Sequence, residues 1–282
     1  MALQLTHEVL ALRTAHPFGI ARGTAREHRV VWVRLTDADG VEGWGEAAPS
    51  RYYGESADTV VAALSVIETV LPAEPFALEN TDAAMLRVLR GDAAARVAVS
   101  AALHDLVGKR LGAPLWKLWG LDPGRVPQTS FTIGLDAPAV VQQKVREAAP
   151  YPILKIKVGT PDDEQILRAV REVTDKRLRV DANAGWTAKQ ALARLPLLEE
   201  LGVELLEQPV APDDLRAWRR CTGRRTCRSW PTRRAGPRPT SRAWRAPWTG
   251  STSSSPSAAR CAKRCAWWRS RARTAFRSWW AA

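Results

Sequence analysis

The chain has 282 residues with 42 Lys and Arg against 29 Asp and Glu, a formal net charge of +13 that taken whole points to a polyanionic partner. The excess is confined to residues 217–282, which hold sixteen Arg, one Lys and no acid, so residues 1–216 carry 25 basic and 29 acidic residues, a net −4. With no apolar run of the ~18 residues a membrane span needs, and no basic-then-apolar leader in MALQLTHEVLALRT, the first part reads as a soluble cytoplasmic protein with no membrane partner, and its mildly acidic charge gives no support to a polyanion-binding role.

Alternation in Arg29-Val30-Val31-Trp32-Val33-Arg34-Leu35, followed by Asp37-Ala38-Asp39-Gly40, predicts a strand and a turn, with Val41 to Glu46 returning as a hairpin. Segments 57–72 and 81–112 are rich in Ala, Leu, Val and Arg with apolar residues at i, i+3 and i+4, which predicts helices. Residues 1–122 are therefore expected to form an α+β module.

From Val126 the rhythm changes. Strands are expected at Thr129 to Gly134, Ile153 to Val158, Leu178 to Asp181 and Val203 to Leu206, with helices at Pro138 to Ala148, Asp162 to Val173 and Ala188 to Leu201 between them. Strand and helix alternating in this way implies an α/β architecture with a parallel sheet, either open and doubly wound or a (β/α) barrel. No GxGxxG follows the first strand and no P-loop is present, so nucleotide binding has no support.

Chemistry-bearing residues gather at the predicted strand ends. Lys155 and Lys157 in LKIKV share one face of a strand, because side chains alternate with period two. Asp181 and Asn183 close the next strand in LRVDANAGW, and Glu207 closes the one after in LLEQP. Taken singly each has a plain structural reading: a lysine pair is often a solvated edge, and a strand-ending Asp is often a turn or helix cap. Their succession in order, one βα unit apart, is what a barrel active site looks like, since such sites draw on the C-terminal ends of several strands.

These strings resemble the enolase superfamily, muconate-lactonising subgroup, and most of all the dipeptide epimerases that act on L-Ala-D/L-Glu. Besides LKIKVG, RVDANAGWT and LLEQPV, the resemblance runs through Phe18-Gly19-Ile20-Ala21-Arg22-Gly23-Thr24, GWGEAAPSRYYGES, VSAALHDLVGKRLGAPLWKLWGL and TSFTIGLD, covering about residues 1–215. It implies a capping domain over 1–122 and the first half of a modified (β/α) TIM-type barrel over 123–216. By the same resemblance Asp181 and Glu207 are two of three Mg²⁺ ligands, Lys157 is the base on one face of the substrate α-carbon, and Lys155 stabilises the substrate carboxylate. Arg22, Thr132 and Asn183 match substrate-contacting positions. The chemistry is coherent: removing a proton next to a carboxylate makes an enediolate, and enolase-superfamily sites pair a Lys or His base with Mg²⁺. Other acids of the subgroup, handled by cycloisomerases or o-succinylbenzoate synthases, are the alternative substrates.

The family also needs a third acid at the fifth strand and an opposite-face Lys at the sixth. After Glu207 the only acids are Asp213 and Asp214, and the only Lys is Lys263. Residues 217–282 lack Asp, Glu, Leu, Ile, Val and Met, yet hold eight Trp and all four Cys. The spacing of Cys221/Cys227 and Cys261/Cys265 lacks the close pairing of common zinc sites. The genetic code gives another account. Arg228-Ser229-Trp230-Pro231-Thr232-Arg233 can be encoded CGG TCA TGG CCG ACG AGG, which one base earlier reads PVMADE, the family's fifth-strand motif. Ser251 to Lys263, shifted alike, can yield VNIKLAKCGPVRE, the sixth-strand motif with its Lys. The tail is thus expected to be out of frame after about residue 216, unstructured or misfolded, with no domain of its own. About four of the eight strands of a TIM-type barrel are specified, so the expectation is an aggregation-prone, catalytically impaired chain, a homo-oligomer only if the frame were intact. The competing reading takes the Arg/Trp tail as a nucleic-acid-binding arm; adventitious charge is favoured over it, so no specific nucleic-acid partner is expected.

Overall fold

The computed structural model describes residues 3–214, 216, 217 and 221. Its elements in chain order are β1 (Gln4–Ile20), β2 (Gly23–Thr36), β3 (Glu42–Ala47), α1 (Ala57–Glu68), α2 (Leu78–Val88), α3 (Ala93–Arg110), α4 (Leu115–Leu118), β4 (Ser130–Ile133), α5 (Pro138–Glu147), β5 (Ile153–Lys157), α6 (Asp163–Val173), β6 (Arg177–Asp181), α7 (Ala188–Glu200) and β7 (Val203–Glu207). Two compact units emerge. Among the described residues, the first comprises 3–10 and 29–115, and the second comprises 11–28 with everything from Trp116 onward.

In the first unit β2 pairs with β3 in antiparallel register, Val31 opposite Ala47 and Leu35 opposite Gly43. Val31, Val33 and Leu35 are buried while Trp32 and Arg34 face outward, the period-two pattern of a half-buried strand. The turn that follows is held by the Asp37 carboxylate, which accepts the Asp39 and Val41 N–H groups at 3.0 and 2.9 Å. Val60, Leu64 and Ile67 of α1 and Ala98, Ala102 and Leu106 of α3 complete this core. The helix expected over 81–112 is two helices, α2 and α3. The chain breaks at Arg90-Gly91-Asp92, where Asp92 takes a left-handed φ of 46° that no helix interior accepts. The helix expected over 57–72 stops at Glu68.

The second unit is built on four parallel strands in the order β4-β5-β6-β7. Leu154, Ile156, Leu178, Val180 and Leu206 lie in one core with Val141 and Val145 of α5, Ile166, Leu167 and Val170 of α6, and Leu195 and Leu198 of α7. This face of the sheet is apolar because the crossover helices cover it. The alternating positions are polar: Lys155, Lys157, Arg177, Arg179, Asp181 and Glu207. The β6–β7 register shifts by one residue at a bulge between Leu178 and Arg179, passing over Glu204, and so brings Asp181 opposite Glu207. The sheet is α/β with barrel-type connectivity, as the sequence predicts.

Expectations placed on the tail, including its lack of a domain, a nucleic-acid arm and a zinc site, fall outside the described residues. The exceptions are Ala217 and Cys221, which are buried in the second unit's core.

Candidate active site

The C-terminal ends of β5, β6 and β7 place their polar residues side by side because the strands are parallel and in register: Lys157 is paired with Asp181, and Asp181 with Glu207. Thr132 on β4 is the register partner of Lys155. Lys155 Nζ lies 2.9 Å from Asp181 Oδ2 and 2.7 Å from Glu207 Oε2, and Lys157 Nζ lies 2.8 Å from the same Asp181 Oδ2. The remaining Asp181 oxygen accepts the Asn183 N–H at 2.9 Å. All four titratable side chains are largely enclosed, Asp181 most of all at 2% exposure.

Enclosure and charge then compete. Burial alone would push the Asp181 carboxyl up, but the ammonium groups of Lys157 and Lys155 outweigh it and hold the acid below its ordinary value. Burial lowers Lys155, yet two carboxylates lift it above the ordinary lysine value. Lys157 goes the other way: burial, together with repulsion from Lys155, prevails over the attraction of Asp181 and leaves it lowered. Two lysines two residues apart are therefore driven in opposite directions, one towards a permanent cation and one towards a base.

The loops beyond the strands lock together through their main chains. Val158 N–H donates to Asp181 O at 3.0 Å, Ala182 N–H to Glu207 O at 3.1 Å, and Ala184 N–H to Gln208 O at 2.7 Å. Asn183, Ala184 and Gln208 all adopt left-handed φ, 46°, 63° and 42°. Such a cluster of strained residues is held only by surroundings that over-determine it. Asn183 Oδ1 is buried without a hydrogen-bond partner among the described residues.

The tip of the β1–β2 hairpin belongs to this unit and covers these loops. Ala21 reaches so close that a Cβ on Gly159 or Gly185 would stand 2.6 or 2.8 Å from its own Cβ, which only glycine at both positions permits. Arg22 donates from Nη1 to the Asn183 carbonyl. The Phe18 ring centroid is 5.9 Å from Lys157 Nζ, a cation–π distance. Arg22, Lys155, Lys157, Asp181, Asn183 and Glu207 thus converge, with Thr132 on the neighbouring strand.

Two features were not read from the sequence. Phe18 and Ala21 stand in the sequence only as part of a string, because nothing in a short apolar run tells which strand ends it will cover. Asp163 was also missed. It sits in the first turn of α6, fully buried, and accepts Gly159 N–H and Thr160 N–H, both at 2.9 Å, Thr160 Oγ1 at 3.1 Å and Trp186 Nε1–H at 2.7 Å, with Arg194 at 3.3 Å. The buried tryptophan of the NAGW string was the available signal.

Two family patterns match stretches of this chain. The Mandelate racemase / muconate lactonizing enzyme N-terminal domain pattern matches residues 5–120, and the Enolase C-terminal domain-like pattern matches residues 138–231. An L-Ala-D/L-Glu epimerase of Bacteroides thetaiotaomicron is 38% identical over 215 residues, and an L-Ala-D/L-amino acid epimerase of Maribacter is 34% identical over 212. Those alignments take in 76% and 75% of this chain but 56% and 62% of the relatives, so the chain spans less than two thirds of their length. The crystal structure of a dipeptide epimerase from Enterococcus faecalis, complexed with Mg and the dipeptide L-Leu-L-Tyr, superposes with a TM-score of 0.74 at 30% identity, covering 79% of this chain and 65% of the other.

Proposed function

Because this chain belongs to the mandelate racemase / muconate lactonizing enzyme family of the enolase superfamily, we propose that residues 1–216 are the front part of a dipeptide epimerase of the L-Ala-D/L-Glu type. The observation that carries this reading is the convergence of Lys155, Lys157, Asp181 and Glu207 at the ends of three neighbouring parallel strands. Lys157, enclosed and lowered, is the group suited to take the proton α to the carboxylate of a bound dipeptide. Lys155, held cationic, is the group suited to face the carboxylate on which charge then grows. Arg22, Thr132 and Asn183 border the same space and would orient the dipeptide.

The relatives' names support the substrate class, and the Enterococcus structure carries Mg. The residues described here do not by themselves fit a resident Mg²⁺. That ion demands near-octahedral oxygen ligation, whereas only Asp181 and Glu207 converge, both already bonded to lysine ammonium groups. No group of three or more His, Cys, Asp or Glu suited to a metal occurs among the described residues.

Inversion at a carbon needs a proton taken from one face and returned on the other. Lys157 serves one face, and no second lysine reaches the other among the described residues. The described residues therefore support exchange on one face only. Loss of one base near the codons for Arg216 and Ala217 would account for the missing groups; the support is the out-of-frame recovery of the fifth- and sixth-strand motifs from residues 228–233 and 251–263.

The test is incubation of L-Ala-L-Glu in D₂O. Deuterium entering the Glu α-carbon without inversion, and lost in Lys157→Ala, is the expected result. Formation of L-Ala-D-Glu by this chain would refute the one-face assignment, and absence of any exchange would refute Lys157 as its base.

A further inference from the structure

We propose that Lys155 is the resident cation of this site, its ammonium occupying the place between Asp181 and Glu207 that a divalent ion would need. The geometry is specific. Three neighbouring strands deliver the three groups, and a single Nζ closes to 2.9 Å on Asp181 Oδ2 and 2.7 Å on Glu207 Oε2. Both fall in the charge-assisted range, and the contact to Glu207 is also shorter than the usual mode for neutral N–H···O bonds. The carboxylates have little capacity left over: Asp181 also receives Lys157 at 2.8 Å and the Asn183 N–H at 2.9 Å.

Lys155 also has few alternatives. Its side chain is 13% exposed, its strand is central in the sheet, and Lys157 repels it from the side toward which the strand runs. Swinging it away would leave Asp181, at 2% exposure, facing Glu207 across the paired strand ends with one ammonium fewer. Asp181 would keep Lys157, but Glu207 would lose the Lys155 ammonium beside a second enclosed carboxylate, which is unfavourable. The ammonium therefore does in this chain what a metal ion does elsewhere, holding two acids together at the ends of β6 and β7. A divalent ion can enter only by displacing it.

This inference rests on the ion-pair geometry and not on the proposed reaction, so failure of deuterium exchange would leave it standing. The probe is Mn²⁺ alone, followed by the loss of the free-ion electron paramagnetic resonance signal on titration with the full chain. The unmodified chain is expected to bind Mn²⁺ weakly, and Lys155→Met, which keeps the length and removes the charge, to bind it at least about tenfold more tightly, the ~1.4 kcal/mol of a tenfold change in equilibrium constant. Lys155→Arg keeps the weak binding, and Asp181→Asn in the Lys155→Met background abolishes the gain. A second measurement needs no variant: amide exchange in β5 to β7 of the unmodified chain is unchanged by millimolar Mg²⁺. Tight Mn²⁺ binding by the unmodified chain, a folded Lys155→Met that binds no better, or Mg²⁺-dependent protection of those strands would each overturn the proposal.

Discussion

The indole Nε1–H of Trp186 donates to Asp163 Oδ2 at 2.7 Å, tying the loop after β6 to the first turn of α6. Asp163 also gathers Gly159, Thr160 and Arg194. One carboxylate therefore fixes the loops that follow both Lys157 and Asp181. Asp163→Ala would remove the partner of one buried and three part-buried donors and of the Arg194 guanidinium, at a cost of about 3–5 kcal/mol. Hydrogen exchange should show protection lost in β5 and β6 together. Trp186→Phe, which removes one donor and keeps most of the ring, should cost ~1–3 kcal/mol.

Acid should loosen the second unit through Asp136 and Glu204. Burial raises Asp136, but the Lys144 ammonium at 3.0 Å and the Ala137 N–H outweigh it and lower it below the ordinary 3.8. Glu204 is likewise raised by burial and then lowered below 4.5 by Arg179 and Arg177. A carboxylate whose folded value lies below its unfolded value stabilises fully above the unfolded value and loses that contribution as pH falls through the folded one. Amide protection in β4 to β7 is expected to be flat from neutrality down to about pH 5 and to fall below about pH 4. Asp136→Asn should flatten that fall, and an unchanged slope would remove the pair from the account.

In the first unit β3 lies against α3 with no room for a methyl group. A Cβ on Gly45 would stand 2.0 Å from Ala98 O, and one on Gly43 would stand 2.1 Å from Ala102 O. Gly45→Ala must push strand from helix, an overpacking cost of ~1–3 kcal/mol or more, seen as lost protection in α3. Gly91→Ala meets nothing within 4 Å and should be near neutral.

The outer edge of β7 pairs with no strand among the described residues. Unpaired N–H and C=O groups along such an edge recruit other chains. The apparent mass of the purified chain from light scattering should rise with concentration; a sharp, reversible and concentration-independent melt would contradict this.

The parallel sheet was legible because LKIKV, LRVDA and VELLE put charge and aliphatic residues on opposite faces, and because the intervening helices keep a clear apolar stripe. β1 was not, since its seventeen residues bury only Gly19 and so leave no period-two mark. The break between α2 and α3 was hidden by the continuous helix-forming composition around Arg90-Gly91-Asp92. At the site, the strand positions of Lys155, Lys157, Asp181 and Glu207 follow from counting. That Lys155 would bridge both acids does not, because it depends on a register bulge between Leu178 and Arg179 that no composition encodes. Asp163 reads in sequence as an ordinary first-turn acid, and only folding shows the donors around it.

The most direct measurement compares two proteins on L-Ala-L-Glu in D₂O: this chain, and the chain encoded when one base is restored near the codons for Arg216 and Ala217. The account predicts that the restored chain forms L-Ala-D-Glu carrying deuterium at the inverted carbon, while this chain forms none. Inversion by this chain, or a restored frame that folds and leaves the dipeptide untouched, would contradict it.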